Sequence, residues 1–399
     1  MVLFEHLPPQ PSLLELRIPA GTFPGYTIAF NGWTGNTRIP PFWFKKGFQG
    51  VHLICAGPDK TIFHAQNSEA TFVLGRKCGY IKIENATIKN GSGPGKQKSI
   101  FGGVDSANAS NLIPYTVHLK NCVLEIARTS DPDGHPEWPI FINQGDVILE
   151  DCIIRSANSN EHALYVHGFG KYGAYILNTV IDGVGAEGLK FTARPQWRYY
   201  QDPSILAAAK SAYTDGYHPI DQDNWIVVRN TVVKDWNQPW SWRGGAGMTL
   251  QGAGLNALIE DCAFVDFGEN KPALGIDDSS VEHFGANNVA GIGPANGNLV
   301  CRRSIFASGP GPVWLGPVIN IGSLINSSDK ILASAEFDSC GIYGENMLLS
   351  IKGVDQLILN NCNNEIINQL AQTYGIDTSF EARLNYAGQL IPVSHGFHS

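Results

Sequence analysis

The sequence predicts an all-β fold, a single-stranded right-handed parallel β-helix with capped ends and long loop insertions. Three observations predict it. A short pattern recurs along the chain, at an interval of about 30 residues where it is clearest, and internal similarity at that period marks a solenoid. The recurring segments alternate apolar and polar residues with period two, and no 3.6-residue helical stripe runs through them. The composition suits many short strands joined by turns: of 399 residues 44 are Gly and 23 Pro, and only 16% are charged.

The pattern reads apolar, any, Asn or Asp, small, any, apolar. It occurs as IENATI around Asn85, LKNCVL around Asn121, LEDCII at Asp151, ILNTVI at Asn178, VRNTVV at Asn230 and IEDCAF at Asp261. Weaker copies are CRRSIF at Arg303, FDSCGI at Ser339 and LNNCNN at Asn361. Asn or Asp at a fixed position suits a tight corner, because it tolerates left-handed backbone and bonds its own main chain. Cys122, Cys152, Cys262, Cys340 and Cys362 follow the corner, and Thr179, Thr231 and Ser304 fill the same slot elsewhere. Disulfides or metal are one reading of that column. A stack of small side chains inside the coil is the other, and with no CxxC pair in the sequence it is the reading preferred.

An elongated repeat accommodates 399 residues in one domain, since each turn buries its core only against its neighbours. Residues 1–50 read as an N-terminal cap and first turns, 51–364 as the β-helix, and 365–399 as a C-terminal cap and tail, with IINQLAQTYG expected as a short capping helix. Three stretches interrupt the rhythm: 91–114, 195–224 with the helical-looking PSILAAAKSAY, and 266–297. Long loops on a rigid scaffold commonly carry function.

Lys and Arg number 28 against 36 Asp and Glu, a formal charge of -8, and such a mildly acidic chain is expected to be a poor generic binder of nucleic acid. No stretch is long and apolar enough to insert in a bilayer as a helix. The opening MVLFEHLPPQ lacks the basic and apolar regions of a secretory leader, so the chain is expected to be made without one or to have lost it. Asp131 with Asp133, or Asp277 and Asp278 with Glu282, offer oxygen ligands for calcium, but such pairs are read as solvated turns. No metal or cofactor is expected.

The opening IPAGTF…GVHLICAGPDKTI and the repeats LKNCVL, LEDCII, ILNTVI, VRNTVV and IEDCAF resemble the pectate-lyase-like right-handed β-helix proteins, over roughly residues 14–364. That superfamily includes polysaccharide lyases, glycoside hydrolases, epimerases and the tailspikes and other particle proteins of bacteriophages. The resemblance implies fold more than chemistry. It implies sugar binding along the strand face made here by PIFINQ, HALYVHG, GLKFTAR and GMTLQG.

Alternation puts Ile140, Ile142, Leu164, Val166, Leu189, Phe191, Met248 and Leu250 inward on that face. It puts Phe141, Asn143, Tyr165, His167, Lys190, Thr192, Thr249 and Gln251 outward, with Tyr165 near Lys190 and His167 near Thr192 on adjacent coils. A lyase acting on uronic acids needs a base for the α-proton and cations for the carboxylate, and Lys190, Arg194, His167 and Tyr165 are the candidates. A hydrolase would need two carboxylates, for which Glu161, Asp182, Glu187, Asp215, Asp221 and Asp223 are available. An ordinary polar surface is the competing reading of these residues. Trp236, Trp240 and Trp242, with Arg198 and Gln251, are candidates for carbohydrate binding, because Trp faces stack on sugar rings. Packing onto the solenoid or a neighbouring subunit is the other use of those tryptophans.

The resulting expectation is a phage-particle, tailspike-like β-helix protein that engages a cell-surface polysaccharide, with cleavage left open. Two alternatives stand beside it: a structural virion or decoration protein without ligand chemistry, and a bacterial polysaccharide lyase or glycoside hydrolase. The expected partners are a glycan, two further copies in a homotrimer and other virion proteins. The expected location is the virion or the extracellular space.

Overall fold

The computed structural model describes residues 7, 10–25, 27–30, 32–34, 37–39, 46–68, 70–74, 78–92, 99–103, 115–126, 140–143, 145–155, 162–167, 172–183, 187–192, 224–234, 246–251, 255–266, 274–277, 297–308, 319–322, 332–343, 349–351 and 354–362. They form a right-handed parallel β-helix. Each coil contributes one strand to each of three parallel sheets, here A, B and C, of eleven, ten and ten strands. Sheet A begins at Leu13–Ile18, which pairs with Gly50–Cys55, and ends at Val354–Asn360. The expected capping helix at 366–375 and the helical piece at 203–213 lie outside the described residues.

The corner between sheets A and B is the repeat seen in the sequence. From the coil of Asn85 to that of Ser339, two residues separate the end of the A strand from the start of the B strand. The first of the two always has positive φ. Asn85, Asn121, Asp151, Asn178, Asn230, Asp261, Arg303, Ser339 and Asn361 lie between +46° and +61°. That region strains most side chains, and short polar ones enter it most readily. The corners also bond along the helix axis. Asn121 Nδ2 donates to Asn85 Oδ1 at 2.7 Å, Asn178 to Asp151 at 3.1 Å and Asn230 to Asn178 at 3.1 Å. Arg303 is the atypical corner residue, and its guanidinium donates two bonds to Asp261, at 2.7 and 2.8 Å.

The slot after the corner points into the coil. Cys122, Cys152, Cys262 and Cys340 are buried there and Cys362 is half-buried. Each of the first three thiols donates to the carbonyl two residues back and to one in the coil before, as Cys262 does to Glu260 at 3.1 Å and Val228 at 3.3 Å. Thr231 makes the same pair of bonds to Arg229 and Ile176. A small donor at this slot thus serves main-chain acceptors, which buried carbonyls require.

Inward side chains stack in register from coil to coil. In sheet A, Ile83, Leu119, Leu149, Ile176, Val228, Ile259 and Cys301 form one fully buried row. Each aliphatic member contributes roughly 1.5–3 kcal/mol by leaving water. The outer face of sheet A is covered as well. Tyr80, Ile148, Tyr175, Val227, Leu258 and Val300 alternate with the inward row, yet form a second buried apolar cluster, with Leu7, Leu13, Tyr172 and Leu177 packed against it.

Candidate functional site

Sheet C alone is bordered on both edges by connections of varying length. The B-to-C connections include 126–139 and 235–247, and the C-to-A connections include 193–223 and 278–297, whereas the A-to-B corner keeps two residues from the coil of Asn85 to that of Ser339. The one face framed by variable segments is therefore the outside of sheet C. Its outward side chains Phe141, Tyr165, Lys190 and Thr249 stand in register as one column, and backbone pairing carries that register on through Gly275, Asn320 and Ser350.

At the centre of this column the side chains interlock. The rings of Phe141 and Tyr165 stand 5.3 Å apart, tilted by 59°. The Lys190 ammonium lies 5.4 Å from the centre of the Tyr165 ring. It also pairs with Glu187 Oε1 at 3.2 Å. His162 Nδ1 holds the other oxygen of that carboxylate, and the His162 ring meets Tyr165 edge-on at 5.1 Å. Burial opposes the charge on Glu187, but His162 and Lys190 outweigh it and hold the carboxyl well below its usual range. Glu187 is thus held in its charged form between two partners, His162 and Lys190.

The sequence placed Tyr165 beside Lys190, and the strands pair them. It treated Lys190 as an outward cation open to a sugar carboxylate. The side chain does leave the core, but the residue is only 8% exposed and its charge is matched by Glu187. His167 pairs with Asn143 and Thr192, and Gln251 with Thr192 and Asp277, so backbone register places both next to the column. Arg194, Arg198, Trp236, Trp240 and Trp242 lie outside the described residues, as do Asp131, Asp133, Asp278 and Glu282. Among the described residues no group of three or more His, Cys, Asp or Glu side chains is arranged to hold a metal ion.

His162 is the residue that the strand pattern missed. It and Glu187 each stand two residues before a sheet C strand, and Leu164 pairs with Leu189, so they share one register position in consecutive coils. Aligning EHALYVH on AEGLKFT at those leucines would have exposed the pair.

A second polar cluster sits on the outside of sheet A, in line with the apolar ladder at its N-terminal end. His118 bridges Tyr80 and Glu150: its Nε2 donates to the carboxylate at 2.6 Å and its Nδ1 accepts from the phenol at 2.8 Å. Lys82 pairs with Glu84 at 2.8 Å and donates to Gln10 at 3.2 Å. His52 lies 3.1 Å from Glu84. Burial, partly offset by Glu150, lowers His118 to about 4, so the imidazole is neutral at pH 7. With Gln10 on Lys82 and Leu7 packed on the adjoining apolar cluster, this group is roofed by the chain's own N-terminal segment.

No protein-family profile matches the chain, and no curated protein does. Three solved structures align with it over most of its length. Two are catalytic domains of GH87 α-1,3-glucanases in complex with tetrasaccharides. The first is 12% identical with a TM-score of 0.48, over 87% of this chain and 60% of that one. The second is 12% identical with a TM-score of 0.43, over 88% of this chain and 54% of the other. The third is the A-module of a mannuronan C-5 epimerase from Azotobacter vinelandii, 11% identical with a TM-score of 0.26, over 88% and 91% of the two chains. The chain thus spans 60% of the length of the first glucanase domain.

Proposed function

We propose that the protein binds a polysaccharide along the outer face of sheet C. The observation that carries this reading is the ladder Phe141–Tyr165–Lys190, aromatic faces leading to a held ammonium, on the sheet bordered by variable connections. Aromatic rings stack on the apolar faces of sugars, and the phenol and neighbouring hydroxyls can bond ring substituents. Strands succeed one another at about 4.8 Å, close to the length of one sugar residue, so consecutive coils can address consecutive rings. Binding is assigned ahead of cleavage, because Glu187 and Lys190 are already engaged with each other and with His162.

The test is affinity electrophoresis or calorimetry on a panel of bacterial surface polysaccharides, comparing the wild type with Tyr165→Ala and Phe141→Ala. Melting temperature serves as the folding control. Loss of about tenfold or more in affinity in a folded variant supports the site, and unchanged affinity in both moves it off sheet C.

The finer reading is a trimeric, particle-borne protein of tailspike type, acting on the host surface. The repeats that resemble that superfamily support it. Light scattering at micromolar concentration tests it, and a monomer removes it.

A further inference from the structure

We infer that the glycan taken by sheet C is uncharged around the Phe141–Tyr165–Lys190 ladder, neither a uronate nor a sulfated chain. The inference rests on the reading of sheet C as the glycan face and adds the class of sugar.

Recognition of an anionic sugar needs a surplus of donors with positive charge, as Arg or Lys supply to carboxylates. Among the described residues, the outward column holds one cation, Lys190, in its run from Phe141 to Ser350. That cation is already matched by Glu187 at 3.2 Å. The neighbouring column, set by register, runs from Asn143 through His167, Thr192 and Gln251 to Asp277 and contains no Lys or Arg. A sugar carboxylate at Lys190 would have to displace Glu187 or sit beside it. The first leaves a buried carboxylate held by His162 alone, and the second sets two anions against each other.

An uncharged ring meets none of these obstacles. It can stack on Phe141 and Tyr165 and exchange hydrogen bonds with the phenol. Lys190 then acts as a positioning residue: fixed by Glu187, its ammonium holds the electron-rich face of Tyr165. His162 fixes Glu187 in turn.

The test uses the full-length protein and pairs of polymers that differ only in charge: acidic surface polysaccharides and the same polymers after carboxyl reduction. Affinity is measured by calorimetry at low and high salt. The expected result is binding to reduced, neutral members about tenfold or more tighter than to their acidic parents, with little salt dependence. Tighter, salt-sensitive binding to the acidic parents overturns the inference while leaving sheet C as the glycan face. Binding to neither class, or binding that Tyr165→Ala leaves unchanged, overturns the underlying reading and the inference with it. Glu187→Gln gives a further check, because it releases Lys190. A folded E187Q protein should gain affinity for the acidic parents and acquire salt dependence, and no gain counts against the charge-matching argument.

Discussion

His162 and Glu187 stand at one register position in consecutive coils, and the imidazole and carboxylate meet beneath Tyr165. The pair converts what strand alternation makes an outward surface into a buried, charge-balanced platform. Lys190 completes it, so the three side chains should behave as one unit.

Lys190→Met removes one partner of Glu187 and should destabilise the fold by about 3–5 kcal/mol, as breaking a buried ion pair does. Glu187→Gln should cost a comparable amount. The double variant should be more stable than the two losses added together. Urea denaturation of the four proteins measures the coupling, and strict additivity would show that the side chains do not act as a unit.

Stability should fall on mild acidification. His118 has an ordinary value of 6.5 and is lowered to about 4 in the fold, first by burial and against the pull of Glu150. The unfolded chain therefore takes up the proton first. The stabilisation is complete above pH 6.5, is lost between 6.5 and 4, and amounts to roughly 1–3 kcal/mol. His52 is lowered by the same cause and acts in the same direction. Glu187 adds a later loss, below its ordinary value of 4.5. Urea midpoints from pH 7.5 to pH 4 measure the slope, and His118→Gln should flatten the upper part of it.

The corners should tolerate substitution according to backbone strain. Asn178, at φ +49°, gives up its ladder bonds and meets left-handed strain in Asn178→Ala, which should cost about 1–3 kcal/mol. Asn178→Gly loses the bonds but not the conformation and should cost less. Chemical unfolding orders the two, and equal losses would place the role in the side-chain ladder.

Leu149 is fully buried, while the Lys120 side chain, one residue past its own inward neighbour Leu119, is 42% exposed. Leu149→Asp should lower stability by several kcal/mol, because it buries an unpaired charge. Lys120→Ser should cost less than about 1 kcal/mol. Similar melting temperatures for the two would contradict the register.

All eight thiols should titrate with a disulfide reagent after denaturation without reductant. In the folded protein Cys362 should react first. It is half-buried, whereas burial pushes Cys55, Cys152 and Cys262 up to about 12.

The corner was legible because one geometric demand, positive φ, selects few residue types, so Asn and Asp repeat at nearly every turn. Arg303 and Ser339 were legible as weaker copies because the apolar residues on either side kept the frame. Leu149 and Ile259 could be assigned inward from period two alone. The Glu187–His162 contact was not legible by the same means. It joins residues outside the strands, on coils whose lengths differ, and only the pairing of Leu164 with Leu189 brings them opposite each other. The cover on Ile148 and Val227 was hidden for a related reason. Alternation reports which way a side chain leaves the sheet, and cannot report what lies over it.

The fixed corner has a consequence for how length can be added to this molecule. Between Asp151 and Asn178 the chain closes a coil in 27 residues, and between Asn178 and Asn230 it takes 52. Closing a loop of twice the length costs about 0.6 kcal/mol more in chain entropy. That is less than the strain at a single wrong corner, about 1–2 kcal/mol. New sequence can therefore be spliced beside sheet C at small thermodynamic expense, whereas one residue added between Asn178 and Thr179 would break that two-residue corner and its bonds to Asp151 and Asn230. The protein can revise what it grips far more freely than how it winds.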